Sequence, residues 1–337
     1  MPQSASRPAP DFQISFIVTF YDVPLPMLEQ CLHSILDLPL QPEEREIILV
    51  DDASPLSPQP LLQALPNRVR YIRHETNRGT AVARNTGLDA ARGTHIQFVD
   101  ADDYLLREGY AYCISLAHAD RQLDIIALDH TRDAPRHHRP AHLPPQSGVQ
   151  YMLTHNLRGA DWVYLFRRDI LGELRFTPGI VHEDEEFIPL LTLRAKRMTA
   201  TTACAYFYRR RPSSIVTSQN PAHLQRRIRD AEQVIGNLQH FAQRLEATER
   251  AALMRRVHQL TMDHIYNVIC LTKRNDETEA AVERLRAKGL FPLPRPNYTL
   301  KYACFRCISS THCGRRLLLF LLRNRFNSSS LLKLNTP

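Results

Sequence analysis

Along the first hundred residues, apolar runs of strand length alternate with stretches that repeat every three or four positions. ISFIVTF (14–20) is apolar except at Ser15 and Thr19, and predicts a buried strand. From about Pro26 the spacing changes, and Leu28, Cys31, Leu32, Ile35 and Leu36 share one helical face. EIILVDD (46–52) predicts a second strand ending in two Asp, PLLQAL (60–65) a short helix and VRYIRH (69–74) a third strand. GTAVARNTGLDAA (79–91) predicts a helix stopped by Gly93, and HIQFVD (95–100) a fourth strand. Apolar strands alternating with helices predict an α/β, Rossmann-like, mostly parallel sheet with helices on both faces. Ligands bind such sheets beyond the carboxyl ends of the strands.

The second half is less regular. Residues 107–119 predict a helix, LDIIAL (123–128) a strand, and the Pro- and His-rich 133–147 a loop. A mixed region runs to about 218, and 221–288 is mostly helical in pattern. RRLLLFLLRNRF (315–326) sets six apolar residues between basic clusters, too short a run to span a bilayer. The expected organisation is a leader (1–11), a catalytic stretch (12–218, with 12–105 for the nucleotide and 106–218 for the acceptor), a helical extension (219–290) and a basic tail (291–337).

Charge sharpens the view of that tail. The chain has 43 Lys or Arg against 35 Asp or Glu, a net of +8. Residues 284–337 hold eleven of the basic residues and no acidic ones, so residues 1–283 carry 32 against 35, a net of −3. Such a tail suits an anionic surface. Its aromatics are few and unpatterned, which argues against nucleic acid. A peripheral membrane contact would put Leu and Phe in the interface and Arg315, Arg316, Arg323 and Arg325 on headgroups. A helix docked on the body is the alternative. The start, MPQSASRPAPDFQ, lacks the basic and apolar regions of a signal peptide, and seven Cys scattered over the chain suit reduced thiols. The expected place is the cytoplasm or the inner face of the cell membrane.

The candidate chemistry sits at strand ends. FVDADDYL (98–105) crowds Asp100, Asp102 and Asp103 into four positions behind an apolar run. Like charges this close repel unless a cation sits among them. Mg²⁺ and Mn²⁺ take such oxygen ligands, with substrate phosphates completing the shell; a solvated acidic turn is the alternative for the three Asp taken alone. An EF-hand is excluded, because its further acids and its Gly are missing after Asp103.

Taken together, IVTFYD (17–22), ILVDDAS (48–54), NRGTAVARNTGLDAARG (77–93) and FVDADD (98–103) resemble family two glycosyltransferases of the GT-A fold. The resemblance resumes more loosely at DWVYLFRRDIL (161–171), RFTPGIVHEDEEF (175–187) and YFYRRRPSSI (206–215). It implies an inverting transferase of bacterial surface polysaccharide or lipopolysaccharide synthesis, using a nucleotide-sugar donor, UDP-linked by family expectation, with Mn²⁺ or Mg²⁺. The acceptor would be a saccharide or a lipid-linked saccharide. Thr19 and Tyr21 fall where the nucleobase is met. Asp51 and Asp52 match the pair in which one Asp takes uracil and the other supports the ribose. Asn77, Gly79 and Arg84 lie beside the nucleotide. Asp100 and Asp102 form the DxD motif, with Asp102 the direct metal ligand and Asp103 capping the next turn or supporting the ligands from behind. Glu183 and Asp184 match the acidic pair in which Asp is the general base. Arg210 and Arg211, in the run 209–211, face the diphosphate unless the run is a solvated basic loop, and Trp162 either lines the acceptor side or packs as a core or wall aromatic.

Other readings of the same residues compete. HEDEEF (182–187) is also an acidic first helical turn, with Glu185 and Glu186 as solvated dipole partners. His137, His138 and His142 lack zinc spacing. Cys304, Cys307, His312 and Cys313 offer a single CxxC, which suits free thiols better than zinc. A nucleotidyltransferase would need a Gly-rich basic loop after the first strand, where TFYDVPLP has neither Gly nor Lys. A non-catalytic nucleotide-sugar binder or scaffold would be expected to have lost the metal or base carboxylates, and both are present.

Overall fold

The computed structural model describes residues 13–65, 69–134, 139–210, 220–295 and 297–323. It divides into two compact units. One holds the described residues up to 147 with 160–179 and 194–210; the other holds 148–159, 180–193 and the described residues from 220 onward. Segments 148–159 and 180–193, which lie inside the expected catalytic stretch 12–218, thus group with the helices.

The first unit is built on eight strands: β1 (Ile14–Phe20), β2 (Arg45–Asp51), β3 (Val69–Arg73), β4 (His95–Asp100), β5 (Tyr104–Leu105), β6 (Ile125–Thr131), β7 (Tyr164–Arg167) and β8 (Met198–Phe207). Their order is β3-β2-β1-β4-β7-β6-β8-β5. β1 pairs in parallel with β2 and β4, as do β2 with β3 and β6 with β8; β7 is antiparallel to both its neighbours, and β5 to β8. The sheet is therefore mostly parallel, as the alternating pattern predicts. β1, β2 and β4 are buried almost throughout, because covering on both faces requires near-continuous apolar strands.

Helices α1 (Leu25–Leu36), α2 (Gln59–Ala64), α3 (Thr80–Ala90) and α4 (Arg107–Ala119) belong to this unit. α1 buries Leu28, Cys31, Leu32 and Ile35, the stripe its spacing predicts. Its last carbonyls, Ile35 and Leu36, and those of Leu38 and Leu40 just beyond it are met by the Arg45 guanidinium, which donates to Ile35 and Leu38 at 3.0 Å. α3 approaches β1 so closely that a Cβ on Gly87 would lie 2.2 Å from Ile17 Cγ2. No larger residue fits there unless Ile17 or the helix shifts.

Three strands depart from the sequence pattern. β6 starts two residues later than the apolar run and continues to Thr131. Its polar end is kept in the sheet by pairing of Asp129, His130 and Thr131 with Cys204, Tyr206 and Phe207. β7 is only four residues long, and the Thr and Ala of β8 give no clear apolar alternation.

The second unit contains α5 (Gly148–Thr154), α6 (Glu183–Arg194, of which Arg194 falls in the first unit), α7 (Pro221–Ala242), α8 (Ala247–Thr272), α9 (Asn275–Ala287), α10 (Leu300–Ser309) and α11 (His312–Arg323). The predicted helical stretch 221–288 is α7 to α9. Asn220 caps α7 by accepting from the N–H of Ala222, and Thr299 caps α10 from that of Tyr302. Val257, Ile265 and Ile269 of α8 are buried, as are Val234, Ile235 and Leu238 of α7 and Val282 and Leu285 of α9.

Glu232 of α7 ties these helices together. It accepts from Arg284 of α9 at 2.7 Å and meets His264 of α8 at 3.1 Å. Burial would raise its pKa, but those two partners bring it from 4.5 down to about 2. A depressed carboxylate contributes stability that is present above the unfolded value and lost as pH falls through the folded one. Acid should therefore destabilise this unit between roughly pH 4.5 and 2. Glu232→Gln is expected to cost on the order of 3 kcal/mol at neutral pH and to flatten that acid dependence. Thermal unfolding of both proteins across this range checks it, and identical pH profiles would contradict it.

Candidate active site

The carboxyl ends of β2, β1 and β4 lie side by side, with Phe20 in register with Asp51 and Thr19 with Asp100. Thr19 is half-buried, while Tyr21, just past β1, is 49% exposed. This edge gathers both acidic motifs of the sequence.

At the end of β4 the strand alternation continues into the turn. Asp100 and Asp102 are half-exposed, and Ala101 and Asp103 are buried. β8 holds this turn from behind. The Tyr206 hydroxyl donates to Asp103 at 2.9 Å and accepts the Asp100 N–H at 3.1 Å. Just beyond β8, the Arg209 N–H donates to Asp103 at 2.7 Å, and its Nε donates to the Asp102 carbonyl at 2.8 Å. The same guanidinium reaches Gln30 at 2.6 Å and lies over Tyr104. Asp103 thus supports the turn from inside. Burial, with Asp100 and Asp102 beside it, pushes its carboxyl up to about 9.

Asp51 and Asp52 are almost wholly buried and turn inward. Asp51 accepts from the Ser54 N–H at 2.7 Å and the Tyr71 hydroxyl at 2.6 Å, and pairs with Arg73. Asp52 meets His74 at 2.6 Å and accepts from the N–H groups of Arg78 and Gly79 at 2.9 and 2.8 Å. Asn77 accepts from Gly79 at 3.2 Å. Gly79 has φ +87°, a conformation that costs a side-chain-bearing residue about 1–3 kcal/mol. Both aspartates therefore build the wall of the edge, and Asp52 fixes the loop 77–79.

Arg84 is also internal. It pairs with Asp161 at 2.6 Å and reaches Asp100 at 3.4 Å, with its guanidinium over Phe176. Trp162, expected either on the acceptor side or as a packed aromatic, is 8% exposed and stacks on Tyr206 and Tyr208 at 4.3 and 5.4 Å. Its ring packs behind the acidic turn.

Three residues here escaped sequence reasoning: Tyr206, Tyr208 and Arg132. Arg132, at the end of β6, lies 5.0 Å over Tyr208, and its buried Nε has no hydrogen-bond partner among the described residues. Burial lowers its pKa, and Arg210 adds to this. Arg210 is exposed. Arg211, His137, His138 and Arg325 lie outside the described residues.

In the second unit, Glu183 and Asp184 open α6, Glu183 buried and Asp184 half-exposed. Asp184 Oδ1 accepts the Glu185 N–H at 2.9 Å. Glu185 and Glu186, expected as solvated dipole partners, are engaged instead: Glu185 pairs with Arg256, and Glu186 is buried and accepts from Asn237 at 2.9 Å. Both corrections have one cause, partners on α7 and α8 that are distant in sequence.

The acidic turn suits a hard cation. Its donors are all carboxylate oxygens, those of Asp100 and Asp102 half-exposed and those of Asp103 buried behind them. Among the described residues no cluster of three or more His, Cys, Asp or Glu could hold a metal, so substrate oxygens would have to complete the shell. The cysteines are all free thiols.

Residues 15–175 match the model of glycosyl transferase family 2. The uncharacterized glycosyltransferase EpsJ of Bacillus subtilis is 32% identical over 220 residues, covering 60% of this chain and 62% of EpsJ. The chain thus spans less than two thirds of that relative. The fold is similar to that of residues 1–349 of TarS from S. aureus, solved with UDP-GlcNAc, at a TM-score of 0.55 and 16% identity over 93% of this chain and 92% of that one. It is similar also to the mannosyltransferase PcManGT from Pyrobaculum calidifontis, solved with GDP-Man and Mn²⁺, at a TM-score of 0.54 and 16% identity over 96% and 91%. At such identity these likenesses speak for the fold, which is GT-A. Residues 15–175, whose strands carry both acidic motifs to one edge, are thus a stretch of glycosyl transferase family 2 type.

Proposed function

We propose that this protein transfers a sugar, with inversion, from a nucleoside-diphosphate donor to a saccharide or lipid-linked saccharide acceptor in surface polysaccharide or lipopolysaccharide synthesis. The observation that carries the reading is the half-exposed pair Asp100 and Asp102, held at the carboxyl edge by the clamp of Tyr206 and Arg209. The family match supports the reaction class, and TarS, solved with UDP-GlcNAc, supports a UDP-sugar donor.

In this reading Tyr21 and Thr19 receive the nucleobase, and Asp51, Asp52, Asn77 and Gly79 shape its wall. Asp102 and Asp100 would hold Mn²⁺ or Mg²⁺, as the Mn²⁺ of PcManGT suggests. When bound, such an ion neutralises charge on the departing diphosphate. Arg210, Arg211 and Arg132 supply cationic contacts to the same oxygens. Arg84, 3.4 Å from Asp100, helps to orient it. Asp184 accepts the proton of the attacking hydroxyl, with Glu183 supporting it. A single displacement assisted by one base inverts the anomeric centre.

The test is release of nucleoside diphosphate from a panel of nucleotide sugars, with Mn²⁺ and a mixture of lipid-linked and free saccharide acceptors, followed by NMR of the new linkage. Acceptor-dependent release with an inverted anomeric centre supports the reading. Retention, or transfer of the nucleotidyl group in place of the sugar, overturns it.

A further inference from the structure

α11 carries two unlike apolar faces. Arg315, Leu318 and Leu322 form one stripe and are buried. Arg315, expected on lipid headgroups, is instead turned inward and fixes the helix in place: it donates to Glu279 of α9 at 2.8 Å and to the Ser309 carbonyl at 2.9 Å, and lies over Phe291. About half a turn away lie Arg316, Leu317, Phe320 and Leu321. Leu317 is 50% exposed, Phe320 71% and Leu321 55%.

A helix that merely docks on a protein turns polar residues outward. This one turns out two Leu and a Phe. Four of the seven large apolar side chains most exposed among the described residues, Leu300, Leu317, Phe320 and Leu321, fall in α10 and α11. The pattern is local, so it calls for a local partner.

Charge identifies that partner's chemistry. Residues 284–337 hold eleven Lys or Arg and no Asp or Glu. Lys301 and Arg316 are exposed on α10 and α11 themselves. An apolar stripe within a purely basic segment complements a surface that is anionic outside and apolar just beneath, which is a bilayer with acidic headgroups. No described helix is long and apolar enough to cross a membrane, so the helix would lie in the interface.

We propose that the outer stripe of α11 is a membrane-docking face. Leu317, Phe320 and Leu321 enter the boundary between headgroups and acyl chains, and Arg316 meets lipid phosphates. Arg315, Leu318 and Leu322 keep the helix mounted on its own unit. The contact is thus made by a fixed helix and holds that unit in a set orientation to the bilayer. This goes beyond the transferase reading and does not depend on it.

The test uses the full chain with vesicles of phosphatidylcholine alone and vesicles with about 30% phosphatidylglycerol. The protein should sediment with the anionic vesicles and weaken as salt rises. Partitioning should fall about tenfold or more in the triple variant Leu317→Ser, Phe320→Ser, Leu321→Ser, and stay unchanged in the control Phe241→Ser, another exposed apolar residue. Phe320→Trp gives a second reading that needs no loss of binding, because the only native Trp is buried. Its emission should shift to the blue on anionic vesicles and be quenched by brominated lipid. No sedimentation of the wild type, equal sedimentation of the triple variant, or emission from the Phe320→Trp variant that is indifferent to vesicles would overturn the proposal. So would a wild type that is dimeric without lipid and a triple variant that is monomeric, since the stripe would then join two copies of the chain.

Discussion

Asp184→Asn is expected to slow sugar transfer by about a hundred- to ten-thousand-fold, while donor binding stays nearly unchanged. The acceptor hydroxyl is a poor nucleophile until its proton leaves, and a carboxamide of the same shape cannot take that proton. The substitution should spare the fold. Asp184 is half-exposed, and the hydrogen bond it accepts from the Glu185 N–H is one that an Asn side-chain carbonyl can keep. The loss should therefore fall on kcat, with the donor's dissociation constant preserved. Steady-state kinetics at saturating donor, beside calorimetric donor binding, separate the two quantities. Normal turnover in the variant would remove Asp184 from the mechanism.

Asp102→Asn should reduce turnover by about a hundredfold or more, through a different route. Here donor binding weakens too, because the side chain is proposed to hold the ion that meets the diphosphate. The sequence places three carboxylates in four positions, and burial together with their mutual repulsion raises Asp103. Removing one charge should therefore leave the metal-free protein at least as stable as the wild type, while added Mn²⁺ no longer helps it. A variant that loses activity by unfolding would show the opposite, a lower thermal midpoint without metal. Chelation of the wild type should mimic the variant, and metal should restore only the wild type.

How much of this was visible in the sequence follows from the range of each interaction. β1, β2 and β4 are central, covered on both faces and nearly all apolar, so local pattern alone places them. The alternation of Asp100, Ala101, Asp102 and Asp103 also follows from strand geometry. The clamp on that turn does not, because Tyr206 and Arg209 come from more than a hundred residues downstream. β8 itself was obscured by its Thr and Ala. The inward turn of Asp51 depends on Tyr71 and Arg73 of a neighbouring strand, and that of Arg84 on Asp161. Glu185 and Glu186 looked like dipole partners because only the helix start was in view; Arg256 and Asn237 lie far along the chain. Local chemistry was legible, and the partners that fix its direction were supplied by the fold.

The central claim is that the acidic turn after β4 binds a nucleoside diphosphate through a divalent cation. Its most direct test is thermal unfolding of the wild type and Asp102→Asn with UDP, GDP and their sugars, each with and without Mn²⁺. A ligand at about a hundred times its dissociation constant adds roughly 2.7 kcal/mol, enough to raise the midpoint by a few degrees. The account predicts a shift that requires Mn²⁺ and a nucleotide together and vanishes in Asp102→Asn. A folded wild type that no nucleotide stabilises, with or without Mn²⁺, would contradict it.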